Sequence, residues 1–494
     1  MSANNRHREE QDTTLAVKED PEICQDNMSS SEEPPDGGVW AWISTVCVLL
    51  INTFSWGPNA SFGVYLNYYI TEQYFDEADT EQYVMIGGLG LGLSFLACAF
   101  TNGLCRRIHY KIIMTLGLCI TFLVILVGIN SNDSNTADYK KSVAQGIATA
   151  GGGLGGIIFS RSVDEIIKQY LNNQKYANNR KHGLRLGVAW ALRMQSFVCG
   201  FMLTISIIFI RSFTPLKNTS KDKKPFHVEI FAFLSRIDLL KKLPLACLMF
   251  WNMSYMLSYS ILLFSLSSYG TSIGLTYKQG SNVTTIQSLA QTIGRPLLGV
   301  LSDRVGRVNV SLLATFLITL FSFVFWVFTT TYSQLLGFAF VIGLLLGISW
   351  VNFGPMTADV VGNSGADLNH AISLQMFAAG FPMLIAELAG FKLRRFDMER
   401  PFLYCQILVG VAAGVSCLAL LPFREWKVKR AVKARIAYLK HSVNNLDGDE
   451  EEEEDAALAG MDGEQMEREI MKMERLLAAD VRSYMYRAVY PLKV

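Results

Sequence analysis

Eleven apolar runs, each near the length needed to cross a lipid bilayer, constrain this chain more than any other feature. They cover roughly residues 39–66, 83–104, 112–130, 143–160, 186–210, 245–269, 283–301, 308–330, 332–355, 371–393 and 401–423. Hydrocarbon offers nothing to an open backbone N–H or C=O, so a chain built this way must cross as helices of about 20 residues. The expectation is an all-α, polytopic membrane protein. The fourth run is the softest: it is short, and six glycines lower its helix propensity.

Composition narrows the function. Half of the 494 residues are apolar and 18% are charged, against about a quarter in a soluble domain. A net charge of +1 gives no case for nucleic acid. Cys47, Cys98, Cys119, Cys199, Cys247, Cys405 and Cys417 lie inside apolar runs and read as small hydrophobes. There is no nucleotide loop, no Cys/His cluster with metal spacing and no nucleophile–base constellation. The sequence therefore predicts no enzyme, no cofactor and no metal. The polar start holds no signal peptide, so the first span acts as its own insertion signal.

Between and beyond the runs the chain is soluble in character. Residues 1–37 read as a disordered tail, 211–244 as a basic central loop and 424–494 as a charged tail. Residues 226–240 have the apolar spacing of a helix lying on the membrane surface. Near the end, Met466, Ile470, Met473 and Leu477 share one face of a helix over about 465–477. Taken alone, that stripe fits a solvated tail better than a docked helix. Lysines and arginines cluster after the second, sixth and eighth spans of a six-plus-six layout and at the start of the tail. By the positive-inside rule these segments and both termini are cytoplasmic. Residues 161–185 and 392–400, with six and four bases, run against that rule.

The most specific motif is Gly299-Val300-Leu301-Ser302-Asp303-Arg304-Val305-Gly306-Arg307. Its glycines and acid–base cluster suit a tight turn whose charges cap two helix ends; an ordinary basic loop is the bland alternative. This pattern resembles the loop signature of the major facilitator superfamily. A degenerate copy, Gly103-Leu104-Cys105-Arg106-Arg107-Ile108-His109-Tyr110-Lys111, has lost the Asp. Two such loops at matching places fit an internal duplication. At the head of the first span, Pro35-Asp36-Gly37-Gly38-Val39-Trp40-Ala41-Trp42 is a helix cap with an interfacial aromatic anchor. It also looks like the start of the monocarboxylate transporter family. Further likeness lies in residues 52–66, 146–159, 190–193 and 277–299, and the C-terminal Tyr490–Val494 is similar to fungal members.

That resemblance implies a two-bundle fold, residues 38–210 and 245–423, with alternating access to a solute site between the bundles. The solute is expected to be a small organic compound such as a monocarboxylate, with a proton as a possible companion. The membrane is the plasma or vacuolar one. In the family an intramembrane arginine meets the substrate carboxylate, and Arg295 stands at that position here; a salt bridge or a snorkelling side chain is the alternative. Two positions depart from the animal members. Gln291 replaces an Asp one turn before the arginine, and Asn59 or Ala60 stands where a first-span Lys would be. Substrate contacts are therefore expected from Arg295, Gln291 and Asn59, and gating from Asp303, Arg304 and Arg307. Arg193 and Glu387, with Asp359 just past the 332–355 run, are the other ionisable residues expected within the membrane. Glu387 is a candidate for carrying a proton, with a structural pairing to a nearby base as the equal alternative. The family has twelve spans and this chain shows eleven. Only residues 131–139, short and polar, lie where the fourth would be. A five-helix first bundle follows, and with it a rival reading as a non-transporting sensor or scaffold, or a degenerate paralogue. Glycines spaced four apart at Gly88/Gly92, Gly151/Gly155 and Gly152/Gly156 allow close helix packing, sliding or static.

Overall fold

The computed structural model describes residues 39–71, 80–104, 111–116, 141–173, 180–209, 231, 234–362, 365–395, 398–446, 463–477 and 487. The described residues are helical with short connections. The first half holds α1 (Val39–Ala60), α2 (Phe62–Thr71), α3 (Thr80–Leu104), a helical stretch over 111–116, α4 (Lys141–Leu171) and α5 (Arg180–Phe209). The second half holds α6 (Leu243–Ser272), α7 (Tyr277–Val305), α8 (Arg307–Val324), α9 (Tyr332–Leu345), α10 (Ile348–Val361), α11 (Gly365–Lys392) and α12 (Leu403–Leu446). A terminal helix, α13 (Gly463–Leu477), follows. Among these residues six helices are long and apolar enough to cross a membrane. The chain is an integral, multi-pass membrane protein. Residues 1–38 and most of the third and fourth span region, 117–140, lie outside the described residues, and so do the expected tail and the shortfall of one span.

Two seams join the halves: α4 packs on α7, and α3 packs on α11. In the first half α4 also packs along α1, with α5 behind both. The second half is centred on α6, which α12 and α11 flank.

The glycine-rich run is not the weak element its propensity implied. It lies within a 31-residue helix, although that helix is not among the six described helices apolar enough to cross a membrane. A Cβ at Gly151 would strike Leu49 O, and one at Gly155 would lie 2.6 Å from Gly57 Cα, so these glycines seat α4 on the backbone of α1. On the opposite side a Cβ at Gly153 would come 2.7 Å from Ser288 O and 2.8 Å from Thr292 N, on α7. The helix is wedged between two neighbours, and only glycine fits on both sides. Tertiary packing outweighs the roughly 1 kcal/mol per residue that glycine costs in an isolated helix.

Two expected spans are broken helices. The first is interrupted at Ser61, whose hydroxyl donates to Pro58 O at 2.7 Å. Gln195 of α5 clamps the break, donating to Ser61 Oγ at 2.9 Å and accepting from Tyr65 OH at 3.0 Å. The span expected over 332–355 is α9 and α10, divided at Leu346–Gly347. Tyr255 OH donates to Leu346 O at 2.9 Å, which satisfies a carbonyl at the break.

The tail also departs from expectation. The last span continues without interruption to Leu446. The apolar stripe of α13 is not solvated: Met466 and Ile470 are buried against Val428, Val432, Ile436 and Leu439 of α12. Burial of side chains this size contributes about 1.5–3 kcal/mol each.

Candidate functional site

Between the halves lies a narrow cavity of about 30 Å³, within about 500 Å³ of atom-free space that includes open solvent. Its polar lining comes from Asn52 and Asn59 of α1, Thr149 of α4, and Ser288, Gln291 and Arg295 of α7. Tyr259 of α6, Trp350 of α10 and Trp56 of α1 supply aromatic walls. Three residues expected from sequence to meet the solute, Arg295, Gln291 and Asn59, thus come together in one space.

Arg295 is 5% exposed and tightly held. Its Nη1 donates to Thr149 O, across the seam between the halves, and its Nη2 donates to Gln291 Oε1 at 3.0 Å. The guanidinium carbon lies 5.8 Å from the centroid of the Trp350 ring, within cation–π range. Glycine makes the room. A Cβ at Gly152 would come 2.9 Å from Arg295 Nη1, and one at Gly347 would strike Arg295 Cγ. The break between α9 and α10 therefore sits where the arginine stem passes, and Trp350 follows one turn later. Arg295 Nε is buried without a hydrogen-bond partner. Among the described residues, no carboxylate forms a salt bridge with Arg295. A buried cation without a counter-ion is costly, and an arriving anion lowers that cost.

Gln291 accounts for the arrangement. A carboxylate at this position, one helical turn from the arginine, would neutralise it; the amide accepts a hydrogen bond and leaves the positive charge in place. Sequence reasoning placed Arg295, Gln291 and Asn59. It did not find Tyr259, Trp350, Trp56 or Gly347, which sit in runs of similar apolar character.

The other expected residues lie elsewhere. Glu387, 2% exposed, is buried beside Gly88 in the α3–α11 seam; its Oε1 has no hydrogen-bond partner, and it does not line the cavity. Arg394, near the same end of α11, donates to Ser265 Oγ at 3.2 Å and stacks on Phe402 at 4.5 Å. At the end of α7, Gly306 takes φ +105°, a conformation suited to glycine, and turns the chain into α8. There Arg307 lies 3.7 Å from Asp303 and 3.4 Å from Asp359 of α10, and Asp359 accepts from Lys427 of α12 at 2.7 Å. Asn352 donates to Ser302 Oγ, Arg307 O and Ser311 Oγ, which fixes the turn from within. Arg304 is exposed and outside this network. The described cluster thus ties α7, α8, α10 and α12 of one half together.

Two seams between the halves and a polar-lined cavity beside one of them fit a membrane transporter. Comparison with known proteins agrees. Residues 248–446 match the family model of the Major Facilitator Superfamily. The chain is 26% identical over 492 residues to the uncharacterized transporter ESBP6 of Saccharomyces cerevisiae, covering 94% of this chain and 70% of the relative. It is 27% identical over 438 residues to the probable transporter MCH2 of the same yeast, covering 83% and 86%. The solved structure of the transporter FucP in the outward conformation superposes with a TM-score of 0.54 at 14% identity, over 76% of this chain and 98% of that one. The chain is similar to fungal transporters, and its second half matches the family model of the major facilitator superfamily.

Proposed function

We propose that the protein moves a small organic carboxylate across the membrane by alternating access, with the central cavity as the solute site. One observation carries this reading: the cavity is lined by a buried arginine with no carboxylate partner among the described residues. A guanidinium offers a fork that matches a carboxylate, and a buried guanidinium makes that match stronger than at the surface. Thr149 and Gln291 hold the fork still, which lowers the ordering cost when solute arrives. Arg295 reaches across to Thr149 from the other half, so a carboxylate bound there reports on the position of both halves. The direction of basic loops supports a cytoplasmic Asp303–Arg307 turn and tail.

The test is uptake of a labelled carboxylate into vesicles reconstituted with the full chain. Arg295→Lys keeps the charge but loses the fork, and uptake at low solute should fall at least about tenfold. Near-normal uptake by the lysine variant would refute the assignment.

A further inference from the structure

The rest of the cavity wall narrows the solute beyond the carboxylate, on which this inference rests. The ring of Trp56 meets that of Trp350 edge-to-face with centroids 5.2 Å apart, and Tyr259 meets Trp350 in the same manner at 6.1 Å. Phe95 supports both tryptophans from behind, at 5.9 Å from Trp56 and 5.7 Å from Trp350. These rings come from α1 and α3 of one half and α6 and α10 of the other. The aromatic cluster therefore spans the same junction as Arg295. Trp56, Trp350 and Tyr259 line the cavity beside the guanidinium. A second observation concerns charge. Arg295 is the only charged residue among the described residues that line the cavity. An ammonium group on the solute would have no carboxylate to meet and would be desolvated beside a like charge.

We propose that the solute is an aryl monocarboxylate without an amino group: one flat, unsaturated ring on a short chain that ends in a carboxylate. The carboxylate takes the Arg295 fork. The ring inserts among Trp56, Tyr259 and Trp350, where offset and edge-on geometries favour an aromatic partner over a saturated one of equal size. The amides of Asn52, Asn59 and Gln291 provide hydrogen bonds to a hydroxyl or keto group on the chain.

The experiment is a calorimetric titration of the purified full chain in lipid nanodiscs with matched probes. They are 3-phenylpropionate, 3-cyclohexylpropionate, propionate, phenylalanine and 3-phenylpropanamide. The expected order places 3-phenylpropionate about tenfold or more tighter than propionate and than phenylalanine, and about threefold or more tighter than the cyclohexyl analogue. Trp56→Leu should bring the ratio of phenyl to cyclohexyl affinity close to one. If 3-phenylpropionate, 3-cyclohexylpropionate and propionate bind alike, the aryl assignment is overturned and the carboxylate reading stands. If phenylalanine matches 3-phenylpropionate, the exclusion of an amino group is overturned. If the propanamide matches the carboxylate, or no probe binds, both this inference and the carboxylate reading fail.

Discussion

The two seams that join the halves use the same small-residue spacing to opposite ends. In the α3–α11 seam, Gly88 and Gly92 receive the backbone and side chain of Leu384, and Gly380 receives Leu96. Leucine side chains fill the notches at Gly92 and Gly380, while at Gly88 the Leu384 and Met383 carbonyls and the Glu387 Cβ do so. In the α4–α7 seam the atoms that fill the notches are polar: Ser288 and Thr292 against Gly153 and Gly156, and the Arg295 guanidinium against Gly152. The first seam is a packed joint. The second is a packed joint that also builds the wall of a cavity, because one notch is filled by a charged group with hydrogen-bonding capacity left over. A glycine repeat four apart therefore marks close approach of helices; what occupies the notch decides whether the approach also makes a site.

The largest effect is expected from filling a notch that faces backbone. At Gly155 a Cβ would strike Thr53 O and lie 2.6 Å from Gly57 Cα, neither of which can rotate away. At Gly380 the obstacle is chiefly the Leu96 side chain, 2.9 Å away, which can change rotamer. Overpacking typically costs about 1–3 kcal/mol where neighbours can yield. Gly155→Leu should therefore abolish the monodisperse peak in size-exclusion chromatography of detergent-solubilised protein, whereas Gly380→Ala should keep that peak with a modestly lowered melting temperature. Equal tolerance at both positions would show that the backbone-facing contact of α4 on α1 yields as readily as the α3–α11 seam.

A smaller effect is expected at the end of α7. Asp303 and Asp359 both engage Arg307, and Asp359 also holds Lys427, so the cluster locks the ends of four helices of one half. Asp303→Asn leaves the Asp359 arm in place and should slow turnover about two- to fivefold with little change in solute affinity, consistent with loss of a partly screened ion pair. Parallel measurement of uptake rate and equilibrium binding separates these. Collapse of binding with turnover intact would show that the cluster shapes the cavity and does not govern movement.

Much of this organisation was legible in the sequence, and the exceptions share a physical cause. Apolar run length pointed to a membrane fold because the bilayer imposes a one-dimensional constraint, and six described helices are long and apolar enough to cross. Arg295 stood out because a guanidinium in an apolar run is costly, and Gln291 and Asn59 because the resemblance to the monocarboxylate transporter family puts charged residues at their positions. Trp350 and Tyr259 did not, since an aromatic in an apolar helix is ordinary until its neighbours are known. The glycines of α4 were read as weakness because propensity describes an isolated helix, while their partners on α1 and α7 are about 100 to 140 residues distant in sequence. The docking of α13 was missed for a related reason. Its partner stripe, Val428, Val432, Ile436 and Leu439, is set at helical spacing inside a strongly basic segment. Charge density concealed a periodicity that a direct search for i, i+4 and i+7 spacing would have exposed.

The central claim is that Arg295 is held ready for a carboxylate, and its most direct test is a ratio of affinities. A carboxylate and its neutral amide of the same shape are titrated into the wild-type chain, Arg295→Lys and Arg295→Gln. The account predicts a strong preference for the carboxylate in the wild type, a reduced one with lysine, and none with glutamine, whose amide keeps hydrogen bonding but carries no charge. A carboxylate preference that survives unchanged in Arg295→Gln would contradict it.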